Sequence, residues 1–140
     1  MTNEVSAAYP EARVTPDNAP MLKRWREAGE LVLQHCEGCG KAVFYPRPVC
    51  PHCWSDRLVW RPASGKGTVV SFSVIHRGLP APFDAEAPIG LAEIALEEGI
   101  SMIARVLVAD GEELESGAGV ALVGKADAAR FPLPTFRIAR

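Results

Sequence analysis

Four cysteines stand within eighteen residues, Cys36, Cys39, Cys50 and Cys53, and the chain has no others. They form two C-x-x-C pairs separated by ten residues, GKAVFYPRPV. Each C-x-x-C turn presents two sulfurs on one side of a knuckle, and a spacer of this length lets the second knuckle fold over the first. That is the ligand set of a tetrahedral ion held by four thiolates. Gly38 and Gly40 flank Cys39, where the backbone must come close to sulfur. Pro46, Pro48 and Pro51 stiffen the connection, and Lys41 and Arg47 offset the charge of the site. Disulfides compete as a reading, but they belong to oxidising compartments. A redox dithiol also competes, but it rests on one C-x-x-C opening a helix beside a parallel sheet, and neither pair here does that. The spacing favours structural Zn²⁺; iron in a rubredoxin-like site would use the same ligands. Four thiolates close the coordination sphere, so no water is activated there. The ion is expected to staple a module with too little core of its own.

Other chemistry is sparse. His35 and His52 each abut a cysteine, and His76 with Arg77 ends an apolar run. All three histidines read as surface groups or neighbours of the ligands. No G-x-S-x-G, H-E-x-x-H or GxxxxGK[ST] is present. Gly65-Lys66-Gly67 has neither the spacing nor the following helix of a phosphate loop. Glu97/Glu98 and Glu112/Glu113/Glu115 fall in turns and read as solvated charges. Phe44, Tyr45, Trp54 and Trp60 could stack on a base or an adenine ring, or simply pack a small ribbon. No catalytic residue is found, so the chain is not expected to be an enzyme by itself.

The elements that would position these groups are short. Residues 1–19 read as a flexible tail, ordered only against something else. Residues 20–30 read as a helix, with Pro20 at its start, Met21, Leu22 and Trp25 on one face and Gly29 at its end. Residues 31–61 hold the cysteine module, entered by a strand at Leu31–Leu33 and left by one at Leu58–Trp60. Residues 62–140 read as five strands. The first shows Thr68, Val70, Phe72 and Val74 at spacing two. The second and third are IGLAEIAL and ISMIARVLV, joined at Glu97-Glu98-Gly99. The fourth is GVALVGKA and the fifth PTFRIAR. Five short strands suit a small barrel, so the chain is mainly β. The third strand is apolar on both faces, so its outer face needs cover from the helix, the cysteine module or another protein.

The bulk numbers set limits. The 140 residues are 48% hydrophobic and 23% charged, ordinary for a soluble globular protein. Twelve prolines and twelve glycines favour strands and turns over long helices. No run of eighteen apolar residues exists, so no membrane helix is expected. The N-terminus lacks the basic and apolar regions of a secretory signal, which places the chain in the cytoplasm. The formal net charge of −2 supplies no basic surface for nucleic acid.

The order of features resembles the DUF35 family, a rubredoxin-like zinc ribbon followed by a five-stranded OB-fold barrel. The carrying residues are GELVLQHCEGCGKAVFYPRPVCPHCWSDRLVW, SGKGTVVSFSVIHR, PIGLAEIALEEGISMIARV and LPTFR. All four ligand cysteines match. The resemblance implies a non-catalytic accessory subunit of a thiolase-like enzyme, or of a MaoC-like hydratase, that helps to form or cover an acyl-CoA site. Such an assembly would make or break an acyl-CoA C–C bond, or hydrate an acyl-CoA, in lipid metabolism. Arg77, Arg105, Lys125 and Arg130 are candidate CoA contacts by residue type alone. The alternative reading is a nucleic-acid-binding module, because zinc ribbons and OB-folds both occur in such proteins.

Overall fold

The computed structural model describes residues 9–139. Helix α1, Ala19–Ala28, has Pro20 in its first turn and buries Met21, Leu22 and Trp25. Gly29 takes φ +67° and its N–H donates to the Trp25 carbonyl at 2.9 Å, which ends the helix as the sequence predicts. Strands β1 (Val32–Cys36), β2 (Ala42–Val43) and β3 (Leu58–Pro62) form a three-stranded antiparallel sheet with β1 in the centre. β2 was not foreseen, because two residues inside the spacer carry no periodicity.

The barrel comprises β4 (Lys66–Ile75), β5 (Ile89–Leu96), β6 (Ser101–Leu107), β7 (Gly119–Leu122) and β8 (Phe136–Ile138). It closes in the order β4-β5-β6-β8-β7. All pairs are antiparallel except β6 with β8. The fold is therefore mainly β, with an N-terminal helix, a ribbon and a five-stranded OB-type barrel, as expected. One core runs through both sheets: Leu31, Val32 and Leu33 of the ribbon join Val69, Ile94, Val106, Val120 and Phe136 of the barrel.

Gly67 explains the glycine pair that is not a phosphate loop. A Cβ there would meet Ile94 Cγ2 at 2.6 Å and the Ala95 carbonyl oxygen at 2.7 Å. Its bare backbone lets β4 cross β5 closely enough to coil the barrel.

In β4, Val69 is buried, while Val70, Phe72 and Val74 are 48%, 41% and 38% exposed. A bulge between Val69 and Ser71 shifts the register, and an alternating pattern cannot reveal an inserted residue. Two expectations need correction. The fourth strand stops at Leu122, and Lys125–Ala128 is a short helix, α2. Ala128 packs on Trp25 and Val123, so tertiary contact decides its conformation. Finally, the tail reading covers residues 1–19, of which 1–8 lie outside the described residues. From Tyr9 onward the segment lies on the barrel: the Tyr9 ring sits 5.3 Å from Phe83 and 5.8 Å from Phe131.

A candidate metal centre and the groove beside it

The four sulfurs all lie within 4.8 Å of one another. Cys36 and Cys53 approach to 3.5 Å, and Cys39 and Cys50 to 3.7 Å. A tetrahedron with bonds of about 2.3 Å has sulfur–sulfur edges of about 3.8 Å. The residues therefore fit a single ion, and their four soft donors define a structural metal site.

The two knuckles repeat one hydrogen-bond pattern. Gly38 N–H donates to Cys36 Sγ and His52 N–H to Cys50 Sγ, both at 3.3 Å. Gly40 N–H donates to the Cys36 carbonyl and Trp54 N–H to the Cys50 carbonyl. Cys36 N–H donates to the Lys41 carbonyl and Cys50 N–H to that of Ser55. Gly40 takes φ +79°, and Trp54 occupies the same place at φ +67°. Trp54 is 80% exposed, so neither packing nor stacking within the chain explains it. His52 contributes its backbone amide, and His35 lies on β1 opposite Ala42 and Val59. Arg47 ties the spacer to itself and to β1. Its Nε donates to the Tyr45 carbonyl, and its backbone N–H and carbonyl bond the side chain of buried Gln34.

Among the protein groups alone, Cys36 and Cys53 shift in opposite directions. The Cys39 amide, with help from the Cys53 thiol and Gly38, lowers Cys36 to about 6. For Cys53, the Ser55 amide pulls down, but hydrogen bonding to Cys36 and burial push it up to about 11. Full ionisation of such a cluster needs a cation at its centre.

Among the described residues this is the one group of ligating side chains with metal-binding geometry. The carboxylates behave as loop charges: Glu98 Oε2 accepts from Ser64 N–H, and Glu112 Oε1 from Ala109 N–H. No helix among the described residues is long and apolar enough to cross a membrane.

A groove of about 530 Å³ runs between the ribbon, the N-terminal segment and the outside of the barrel. Tyr45, Ile103 and Leu133 line it and are 53%, 62% and 50% exposed. The outer face of β6 is thus covered at Leu107 by α1 and α2 and left open at Ile103. Phe44 and Trp60, in contrast, pack on the shared core.

The four candidate cationic contacts separate into two groups. Arg105 and Arg130 converge on Phe131, at 5.5 and 5.1 Å from the ring centre; Arg105 and Phe131 line the groove, whereas Arg130 lines a neighbouring pocket. Arg77 is exposed just beyond β4, and Lys125 begins α2. Sequence reasoning missed the partners of Arg105. Arg105 pairs with Glu86 Oε1 at 2.7 Å, and Tyr9 Oη donates to Glu86 Oε2 at 2.5 Å. Glu86 and Tyr9 are 77 residues apart, and no local pattern links them.

This triad makes the N-terminal segment pH-sensitive. Burial alone would raise Glu86, but the Tyr9 hydroxyl and the Arg105 guanidinium outweigh it and hold the carboxyl below its ordinary 4.5. Burial, then the bond to Glu86, raises Tyr9 above 10.0. A lowered carboxyl stabilises the docked segment above pH 4.5, and the contribution fades as pH falls through the lowered value. A raised phenol contributes below pH 10.0, and the contribution fades as pH climbs through the raised value. Amide NMR of residues 9–18 should therefore show docking lost at both extremes. Glu86→Gln should loosen the segment at neutral pH and remove the acid step; a retained acid step would assign it to another group.

Residues 26–59 match the family described as "ChsH2, rubredoxin-like zinc ribbon domain", and residues 60–125 match "ChsH2, C-terminal OB-fold domain". A "DUF35 domain-containing scaffold protein" of Pyrococcus furiosus is 34% identical over 72% of this chain and 73% of its own length. One from Methanocaldococcus jannaschii is 32% identical over 74% and 75%. Among solved structures, "Ltp2-ChsH2(DUF35) aldolase" is similar with a TM-score of 0.77 at 30% identity. The match covers 93% of this chain and 100% of that one. A DUF35 protein of Sulfolobus solfataricus, described as of unknown function, shares the fold, with a TM-score of 0.65 at 14% identity over 90% and 87% of the two chains.

Proposed function

The chain belongs to the ChsH2-type DUF35 family of scaffold proteins, and from that premise we propose that it is a non-catalytic subunit that binds a thiolase-like enzyme and helps to form or cover its acyl-CoA site. The observation that carries this reading is the open groove. A lone small domain gains nothing by leaving Tyr45, Ile103 and Leu133 in water along one continuous surface, whereas a partner would bury them. The likeness to an aldolase assembly that contains a DUF35 chain supports a partner of that class.

On this reading the division of labour is chemical. The partner supplies nucleophile and base; this chain supplies surface, shape and charge. Zn²⁺ is the proposed ion, and a Cys₄ site leaves it no open position for substrate, so it fixes the ribbon wall of the groove. Arg105 and Arg130 stand where the phosphates of a CoA could be met. Reduced thiols fit a cytoplasmic protein.

The test is an affinity pull-down of the tagged chain from its native lysate, with mass spectrometry for a thiolase-like partner, followed by an acyl-CoA cleavage or condensation assay of the purified complex. A stable complex at near-equal stoichiometry is expected, with activity that the partner lacks alone. Ile103→Asp and Leu133→Asp are surface changes that should leave the fold intact and weaken the complex at least about tenfold, because each forces a charge into a desolvated contact. Unchanged affinity in both variants would move the interface elsewhere. No complex at all would overturn the subunit reading.

A further inference from the structure

A second surface lies at the barrel mouth, away from the ribbon. β4 pairs with β5 along its length, but with β7 only from Lys66 to Thr68. Val69 closes that side: its N–H donates to the Ala118 carbonyl, and its carbonyl accepts from Gly117 N–H. At Gly117, φ +91°, the chain turns away into the loop of residues 108–118. From Ser71 to Ile75, β4 pairs regularly with β5 and has no strand on its other side among the described residues. The sequence there is SFSVI, without the proline or lysine that usually protects an edge.

What faces this edge is specific. A groove of about 700 Å³ has Phe72, Val74, Pro88 and Val108 among its apolar lining. Asp110, Glu112 and Glu113, from the loop of residues 108–118, also line it. Its one arginine, Arg105, is already paired with Glu86, which leaves His76 as the other basic group. The groove therefore combines apolar side chains from β4 with acidic ones from the facing loop.

We propose that the Ser71–Ile75 edge of β4 is a docking site for an extended protein segment that adds as a strand, with alternate apolar side chains over Phe72 and Val74 and lysine or arginine against Asp110 and Glu113. A second copy of this chain is the poorer occupant. Pairing two β4 edges would bring two acidic loops to one seam, and a single strand pair falls short of the roughly 1,200–2,000 Å² of a stable interface. The inference rests on this edge and loop alone, and does not depend on which enzyme the ribbon groove takes.

The experiment uses the metal-loaded full chain and three capped octapeptides of alternating valine and threonine: one with terminal lysines, one with terminal glutamates, and one with lysines and a central proline. Hydrogen exchange of the 71–75 amides and their NMR shifts are the readout. The lysine peptide should slow exchange at these amides and bind about three- to tenfold tighter than the glutamate peptide, the range of two exposed ion pairs. Asp110→Asn with Glu113→Gln should erase that difference, and the proline peptide should protect nothing. Three results would each overturn the proposal: no protection by any peptide, equal binding of the lysine and glutamate peptides, or concentration-dependent self-association that protects the same amides without peptide.

Discussion

Cys50→Ser should empty the metal site and melt the ribbon while the barrel stays folded. Cys50 is fully buried, and its sulfur accepts the His52 amide and lies 3.7 Å from Cys39. A serine hydroxyl is a hard, protonated donor and cannot replace a thiolate for a soft ion. Besides the cysteines, the local core is Val43, with Leu58 packed on it. Two such side chains supply about 1.5–3 kcal/mol each, whereas binding at a structural zinc site supplies roughly 10–16 kcal/mol. The knuckles cannot hold without the ion. Leu31, Val32 and Leu33 belong to the barrel's core, so the first half of β1 should remain. The check is metal content by mass spectrometry together with an amide spectrum. Loss of dispersion for residues 36–57, with barrel signals kept, is the expected result. A metal-free variant with knuckle signals unchanged would show that the ion has no structural role.

The metal site was legible because spacing alone carries it. Two C-x-x-C pairs and a ten-residue spacer fix sulfur geometry without reference to the rest of the fold. The second knuckle was only half legible. Gly40 announces a left-handed position, but its counterpart is Trp54, which gives no such signal. The helix was read correctly from Pro20, Gly29 and one apolar face, all local properties.

What stayed hidden depends on distance in sequence. The bulge after Val69 in β4 leaves no mark on an alternating pattern and is seen only in the pairing with β5. Helix α2 follows an apolar run that reads as strand, and it forms because Ala128 fills a gap beside Trp25. Arg105 was found only by type. Its roles in pairing Glu86 and flanking Phe131 arise when four separate segments meet. The open outer face of β6 was foreseen in outline, since Ile103 and Leu107 alternate with core residues. That Leu107 is covered and Ile103 is not could be seen only once α1 and α2 were placed.

Trp25→Ala should be the most damaging change outside the cysteines. Trp25 is 0% exposed, packed against Val123 and Ala128 with Leu107 and Leu122 around it. Its Nε1 donates to the Phe131 carbonyl at 2.9 Å, across 106 residues of sequence. Truncation would leave a cavity and strand a carbonyl, at a cost of about 3–5 kcal/mol. That is a large part of the roughly 5–15 kcal/mol that holds a typical domain. With urea slopes of about 1–3 kcal/mol per molar, the midpoint should fall by more than about 1 M. Trp25→Phe keeps most of the volume and loses the N–H, so it should fall between the two. The consequence for function follows from position. The same helix carries Met21 and Leu22 to the wall of the ribbon groove, and Phe131, on which Arg105 and Arg130 converge, lines the same groove. If Trp25 pins both, Trp25→Phe should weaken partner binding more than its modest stability loss explains. If binding falls only in step with the folded fraction, the tryptophan is a core residue and the groove is held by the ribbon alone.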